Sequence, residues 1–287
     1  MKLRDSTQRP HAASRSKLAT ALSAALIGGA VLATPAQAVT LADADGLGDA
    51  VIYQYYTAKD GWQTFFRLIN TSEDAVVVKV RYREAANSRE VLDFEVALSP
   101  NDMWTGWTDS NAIGDGRPGI KTNDTSCLFP LVGQSNPADE GFILLDADTN
   151  TVGAVFKDRA FTGDYSDGGP YGDDTNLRMA EGHFEIIGVS AYDADSTFGF
   201  AVSHQASDGK PENCAAAYNL YLTGGGDDSF DVGNVLAANA YLVNVASGQG
   251  AGYDPNILAS CSNHSLRDLA TTTDTSVDLD DCDAGPF

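Results

Sequence analysis

Three oxygen-bearing side chains lie at the spacing of a calcium-binding loop. Asp146, Asp148 and Asn150 occupy every second position in "LDADTNT", and oxygen ligands at this spacing can surround a hard cation. However, Thr151 stands where such a loop has glycine, and Lys157 stands where it has a bidentate glutamate. The segment also separates two apolar runs, where Asp and Asn commonly form a hairpin turn. We therefore expect a turn, with calcium as the alternative and no other cofactor.

The sequence offers little that is typical of acid–base or nucleophilic catalysis. His183, His204 and His264 are the histidines outside the N-terminal segment, and no HExxH or GxSxG motif is present. A catalytic triad is defined by geometry rather than by sequence order. A hydrolase would therefore need one of these histidines beside a carboxylate and a Ser or Thr. The sequence itself predicts no catalytic residue and no enzyme.

The tryptophans are the candidates for ligand binding. Trp62 follows a tyrosine-rich run, and Trp104 and Trp107 flank a Thr-Gly pair. Exposed aromatic side chains can stack on sugar rings, so these residues are candidates for carbohydrate binding. We nevertheless favour the interpretation that they pack in the core and favour strands, with carbohydrate binding as the alternative.

Four cysteines, Cys127, Cys214, Cys261 and Cys282, predict disulfide bonds in an exported chain. They allow three connectivities, of which we favour Cys127–Cys214 together with Cys261–Cys282. Free or intermolecular thiols are the alternative. No pair forms a CxxC motif, so a zinc ribbon or a thioredoxin-like redox site is not indicated.

An alternation of period two dominates residues 75–98. In "AVVVKVRYRE" and "REVLDFEVALSP" one set of alternate positions is apolar, which is typical of a strand with one face in the core and one in water. The inward set is Val76, Val78, Val80, Tyr82, Leu92, Phe94, Val96 and Leu98. If the two strands pair antiparallel, Lys79, Arg81 and Arg83 face Glu95, Asp93 or Glu90 on the solvent side, where each exposed pair contributes only tenths of a kcal/mol.

Further short strands follow, separated by Gly, Asp, Asn and Pro, and a helix is expected only near 256–270. The other strand candidates are 50–57, 61–70, 102–108, 140–147, 151–158, 182–192, 197–204, 215–223 and 235–247. This pattern predicts an all-β fold, an immunoglobulin-like antiparallel β-sandwich with a second β-rich region or long loop insertions. We place the sandwich at 39–160, an acidic Gly/Asp-rich loop at 161–176, the second β-rich region at 177–260 and an acidic tail at 261–287. One sandwich interrupted by the acidic loop is the alternative.

The N-terminal residues 1–38 have the features of a cleaved signal peptide. A basic segment precedes an apolar run of about sixteen residues that ends in Ala36-Gln37-Ala38. Without residues 1–38 the chain has 13 basic and 39 acidic residues, a net charge of −26. Such a surface repels phosphate backbones and anionic lipids. We therefore expect export and no binding to nucleic acid or to an anionic membrane surface.

Residues 48–108 carry a resemblance to other proteins. The segments "VKVRYREAANSREVLDFEVALSPNDMW" and, later, "EGHFEIIGVS" resemble a group of exported, uncharacterised bacterial proteins, some labelled cell-surface protein. The resemblance implies an immunoglobulin-like surface or extracellular protein and transfers no catalytic residue.

Together these features predict an exported structural or interaction protein located at the cell surface, outside the cell or in the periplasm. Its expected partners are further copies of itself or other surface proteins. The alternatives are a secreted carbohydrate-binding module and a secreted hydrolase.

Overall fold

The computed structural model describes residues 40–41, 45–86, 88–134, 141–157, 175–223, 229–259 and 261. The predicted signal peptide at 1–38, most of the acidic loop at 161–176 and the tail beyond residue 261 lie outside the described residues. Cys282 belongs to that tail, so its predicted pairing with Cys261 stays a prediction.

The described residues form fifteen strands and three helices. The strands are β1 (Thr40–Leu41), β2 (Ala50–Thr57), β3 (Trp62–Asn70), β4 (Ala75–Glu84), β5 (Glu90–Leu98), β6 (Met103–Asp109), β7 (Gly119–Thr122), β8 (Cys127–Phe129), β9 (Ile143–Asp146), β10 (Thr151–Val155), β11 (Glu181–Tyr192), β12 (Ser229–Phe230), β13 (Leu236–Asn244), β14 (Gln249–Tyr253) and β15 (Asn256–Ala259). The helices are α1 (Thr175–Met179), α2 (Thr197–Val202) and α3 (Cys214–Thr223).

The strands form two antiparallel sheets, which confirms the predicted all-β sandwich. Sheet A has the order β1-β15-β2-β11-β4-β5-β8, with β12 also paired to β11. Sheet B has the order β14-β13-β3-β6-β7-β10-β9. The predicted second β-rich region supplies β11 and β15 to sheet A and β13 and β14 to sheet B.

The core lies between the sheets and contains the predicted inward residues. The alternate apolar residues of β4 and β5 are all at most 2% exposed, and each large side chain buried in this way contributes roughly 1.5–3 kcal/mol. Tyr82 stacks on Phe184 of β11, with ring centroids 4.5 Å apart, and Phe184 stacks in turn on Tyr53 of β2 at 4.1 Å. These contacts join three adjacent strands on the inner face.

For the other face of β4, the predicted pairing with β5 is confirmed but the predicted solvent exposure is wrong. Lys79 lies opposite Glu95, Arg81 opposite Asp93 and Arg83 opposite Glu90, as predicted. However, Arg81 is 0% and Asp93 only 4% exposed. The reason is that β11 lies beside β4 and brings in Glu185, whose Oε1 is 3.1 Å from both Arg81 Nη1 and Arg83 Nε.

Two segments predicted to be strands are helices. Residues 197–202 form α2, which begins after Ser196, whose side chain accepts a hydrogen bond from the Gly199 N–H. Residues 214–223 form α3, where an alanine run favours a helix. Both helices pack on the outer face of sheet A against a cluster that includes Val77 and Phe129. The predicted helix near 256–270 is also wrong at its start, because Asn256–Ala259 forms β15.

The disulfide Cys127–Cys214 is present and confirms that prediction. It joins β8, at the end of sheet A, to the first residue of α3. Cys261 is buried, and its N–H donates a hydrogen bond to Asp49 Oδ1 at 2.9 Å. No helix in the described part of the chain is long and apolar enough to cross a membrane.

Candidate functional site

The predicted calcium ligands lie in the hairpin turn between β9 and β10. Asp146 Oδ1 accepts hydrogen bonds from the backbone N–H groups of Asp148 at 2.9 Å and Thr149 at 3.3 Å. These bonds favour the carboxylate and hold the pKa of Asp146 below its usual value. Asn150 adopts a positive φ of 53° that closes the turn. The described residues contain no cluster of three or more His, Cys, Asp or Glu side chains suited to a metal ion, and calcium binding stays a prediction.

One histidine does meet a serine and a carboxylate, but in an arrangement that differs from a catalytic triad. His204 follows α2, and its Nδ1 is 3.0 Å from Ser99 Oγ and 3.8 Å from Asp102 Oδ2. In a triad the nucleophile and the acid contact different ring nitrogens, whereas here both approach the same one. Ser99 is also only 7% exposed. The contact ties the end of α2 to the loop between β5 and β6.

The three predicted tryptophans lie in different environments. Trp104 is 0% exposed and packs between Phe66 and Phe94 in the core, as core packing predicts, and the candidate role as an exposed platform is therefore wrong for this residue: its strand position points inward. Trp107, three residues later, points to the opposite side and is half-buried on the outer face of sheet B. Trp62 lies at the end of the sandwich.

Trp62 lines a cavity of about 240 Å³. Lys59 Nζ is 3.0 Å from Glu181 Oε1, and the Tyr55 hydroxyl donates to Glu181 Oε2 at 3.1 Å, so the charges of the wall largely pair with each other. The lining residues are Tyr55, Thr57, Lys59, Asp60, Trp62, Glu181 and Leu242.

A second aromatic surface was not predicted as a unit. Tyr241 of β13 lies directly opposite Phe65 of β3, and Phe65 lies directly opposite Trp107 of β6. We call these three residues the outer aromatic row. Their chain neighbours Ala240, Phe66 and Gly106 are buried, so the row faces away from the core. The Phe65 and Trp107 rings are nearly parallel, with centroids 6.0 Å apart and 21° between planes, and Tyr241 is 48% exposed.

Mainly polar side chains border the outer aromatic row. The next outward positions along the strands are Val243, Gln63 and Asp109 on one side and Asn239, Arg67 and Thr105 on the other. Lys121 continues the row beyond Trp107, and its Nζ lies 2.8 Å from Asp109 Oδ2. Gln63 Nε2 donates to the same oxygen at 3.4 Å.

The strands of sheet B differ in charge from the chain as a whole. They contain Arg67, Lys121, Asp109 and Asp146 and are therefore neutral overall, in a chain with a net charge of −22. The acidic surface that surrounds the molecule is thus interrupted at the outer aromatic row.

The two edges of sheet B are built differently. At one edge, β14 pairs with β13 without a register shift, carries no charge and no proline, and exposes residues 249–252. At the other edge, β9 is four residues long, ends in Asp146 and has a shift in its pairing with β10. Charges and bulges hinder pairing with another chain, so β14 is the edge of sheet B without these two obstacles.

No protein-family model, curated protein or solved structure matches this chain.

Proposed function

We propose that this chain is an exported structural or interaction protein of the cell surface or extracellular space, and that it assembles with a second copy of itself through β14. The leader-like N-terminus, the acidic composition and the Cys127–Cys214 disulfide all support an extracytoplasmic location. The contacts of His204 give no support to a catalytic role, and the proposal includes none.

The observation that carries the proposal is the open edge of β14. A strand at the edge of a sheet presents a row of backbone N–H and C=O groups that can pair with another strand. Gly250 and Gly252 leave that backbone uncovered by side chains, and in the part of the chain that the structure describes no strand lies on the outer side of β14.

A second copy is the partner because two β14 strands can pair antiparallel about a two-fold axis. Such a contact uses the same surface on both subunits and closes at the dimer. The opposite edge has the bulge and the charge that discourage pairing. The other sheet ends at β8, whose Phe129 is covered by aromatic residues of α3.

Electrostatics give the assembly a defined salt dependence. Two copies with a net charge of −22 each repel one another. Because the Debye length falls from about 10 Å at 0.1 M salt to about 3 Å at 1 M, added salt should strengthen dimerisation.

The test is sedimentation of the purified chain over a range of concentrations at low and high salt. Ala251 lies opposite Leu242, on the core side of β14, and an inward-pointing charge on an edge strand blocks further pairing. We expect a dimer that Ala251→Lys abolishes. Leu144→Lys on β9 is the matched control and should leave the dimer intact. A monomer at all concentrations and salt levels, or a dimer unaffected by Ala251→Lys, would overturn the proposal.

A further inference from the structure

We infer that the outer aromatic row, Tyr241, Phe65 and Trp107, is a binding site for an uncharged glycan chain. This site is independent of the pairing at β14. It differs from the sugar site predicted from the three tryptophans, since one of those lies in the core and another in the cavity at the end of the sandwich.

The dimensions of the row suit an extended ligand. Neighbouring strands lie about 4.8 Å apart, so the three residues on adjacent strands span about 10 Å from the first to the last. That is the length scale of a disaccharide within a linear chain. Pyranose rings present C–H groups on their faces, and these pack on the faces of aromatic rings.

The borders of the row supply the hydrogen bonds that such a ligand needs. A sugar that stacks by its face directs its hydroxyl groups sideways. On one side it would meet the Gln63 amide and the Asp109 carboxylate, and on the other the Arg67 guanidinium. Asn239 also borders the row, and its Oδ1 is buried and without a hydrogen bond to any described residue. A ligand hydroxyl group could satisfy this buried oxygen only after the Asn239 side chain rotates toward the row.

The charge distribution favours a neutral glycan over an acidic one. The outer face of sheet B is nearly neutral, because Lys121 and Asp109 form an ion pair and the sheet as a whole has no net charge. The rest of the chain is strongly acidic and would repel an anionic polysaccharide at long range.

The width of the row favours a glycan over a protein partner. The aromatic strip is one residue wide, and apart from Val243 beside Tyr241 the residues on both sides of it are polar. Aromatic side chains bury about 150–250 Å² each, and Phe65 and Trp107 are already half-buried. The exposed aromatic area is thus well below the roughly 800 Å² per partner of a stable protein interface.

A glycine lies beside the Tyr241 end of the row. The ring of Tyr241 lies over Gly252 of β14, where an added Cβ would be only 3.2 Å from the ring. At the other end, beyond Lys121, Gly153 is buried and covered by Ala112 and Leu145. A chain that stacks on the three rings can therefore continue past the Tyr241 end without meeting a large side chain at Gly252.

The test is electrophoresis of the full chain through native gels that contain a soluble polysaccharide. The probes are hydroxyethyl cellulose, xylan and glucomannan as neutral glycans, with polygalacturonate as the charged comparison. We expect at least one neutral polysaccharide to retard the protein and polygalacturonate to have no effect. Trp107→Ala and Tyr241→Ala should each weaken binding about tenfold or more, as for other aromatic residues central to a binding site. Tyr241→Phe should retain it.

Trp62→Ala distinguishes this site from the cavity at the end of the sandwich. The Trp62→Ala variant should be retarded as much as the native chain. If Trp62→Ala abolished retardation while Trp107→Ala and Tyr241→Ala did not, the assignment would be overturned. The assignment would also be overturned if no neutral polysaccharide retarded the protein. It would equally be overturned if the protein self-associated and Trp107→Ala abolished that self-association. Unchanged melting temperatures would show that Trp107→Ala and Tyr241→Ala remain folded. The dimer-blocking variant Ala251→Lys should bind the same polysaccharide, which separates a failure at β14 from a failure of this site.

Discussion

Arg178 donates two hydrogen bonds to Glu84, from Nε to Oε2 at 2.8 Å and from Nη2 to Oε1 at 3.1 Å, and both side chains are buried. Glu84 also accepts hydrogen bonds from the backbone N–H groups of Ala86 and Arg89. The pair therefore joins α1 to the end of β4 and to the turn that follows it.

Arg178→Met should destabilise the fold by about 3–5 kcal/mol, because it leaves the Glu84 carboxylate buried without its cation. The free energy of unfolding in urea measures this change. Arg117→Ala is the matched control: it breaks the exposed Arg117–Asp115 pair and should have little effect. Equal small losses in the two variants would contradict the structural role of Glu84.

The disulfide should contribute about 4–5 kcal/mol, the amount expected for a cross-link between residues 87 apart in sequence. The double variant Cys127→Ala/Cys214→Ala, compared with the native chain in urea without reductant, measures it. An unchanged denaturation midpoint would show that the bond does not constrain the unfolded chain.

Tyr82 and Tyr53 should respond in opposite ways to removal of their hydroxyl groups. The Tyr82 hydroxyl is buried and has no hydrogen-bond partner among the described residues, whereas the Tyr53 hydroxyl donates to the Arg67 carbonyl at 2.8 Å. Tyr82→Phe should leave stability unchanged or raise it, because an unsatisfied buried polar group costs about 1–3 kcal/mol. Tyr53→Phe should lower stability by about 1 kcal/mol. A large loss in Tyr82→Phe would reveal a partner for its hydroxyl.

Stability should fall steeply in alkaline solution. Burial raises the pKa of Tyr53 and Tyr82 well above the usual value, and burial also raises the pKa of Tyr253. Below pH 10 these groups are protonated in both states, and their contribution is complete. Above about pH 10 the unfolded chain loses the phenol protons that the folded chain retains, which costs about 1.4 kcal/mol per pH unit for each such group.

Unfolding free energies between neutral pH and about pH 12 would test this decline. Tyr82→Phe removes one of the groups. The unfolding free energy of this variant should therefore fall less steeply with pH, by about 1.4 kcal/mol per pH unit. A slope that is identical in the variant and the native chain would contradict the assignment.

The local part of the fold could be predicted from the sequence. Alternation along β4 and β5 identifies the inward row and the pairing of Lys79 with Glu95, because strands that are close in sequence pair through a short turn. The burial of Arg81 could not be predicted, since its partner Glu185 comes from β11, far along the chain. Helix α3 was predicted as a strand because its apolar residues also suit a strand. The alanine run favours a helix only weakly, and the packing of α3 on Phe129 decides between the two.

The candidate site shows the same limit. Alternation could have shown that Trp104 and Trp107 point to opposite sides, but it does not show which side is the core. Phe65 and Tyr241 become neighbours of Trp107 only through the pairing of β13, β3 and β6. That register depends on contacts between distant segments. It cannot be predicted from the spacing of residues within any one strand.

The position of β11 between β2 and β4 also governs when sheet A can form. A nascent chain that ends before Glu181 has made both neighbouring strands but not the one that separates them, so β2 has neither of its partners and β4 has only β5. Sheet A therefore cannot be completed until more than half of the polypeptide has been synthesised.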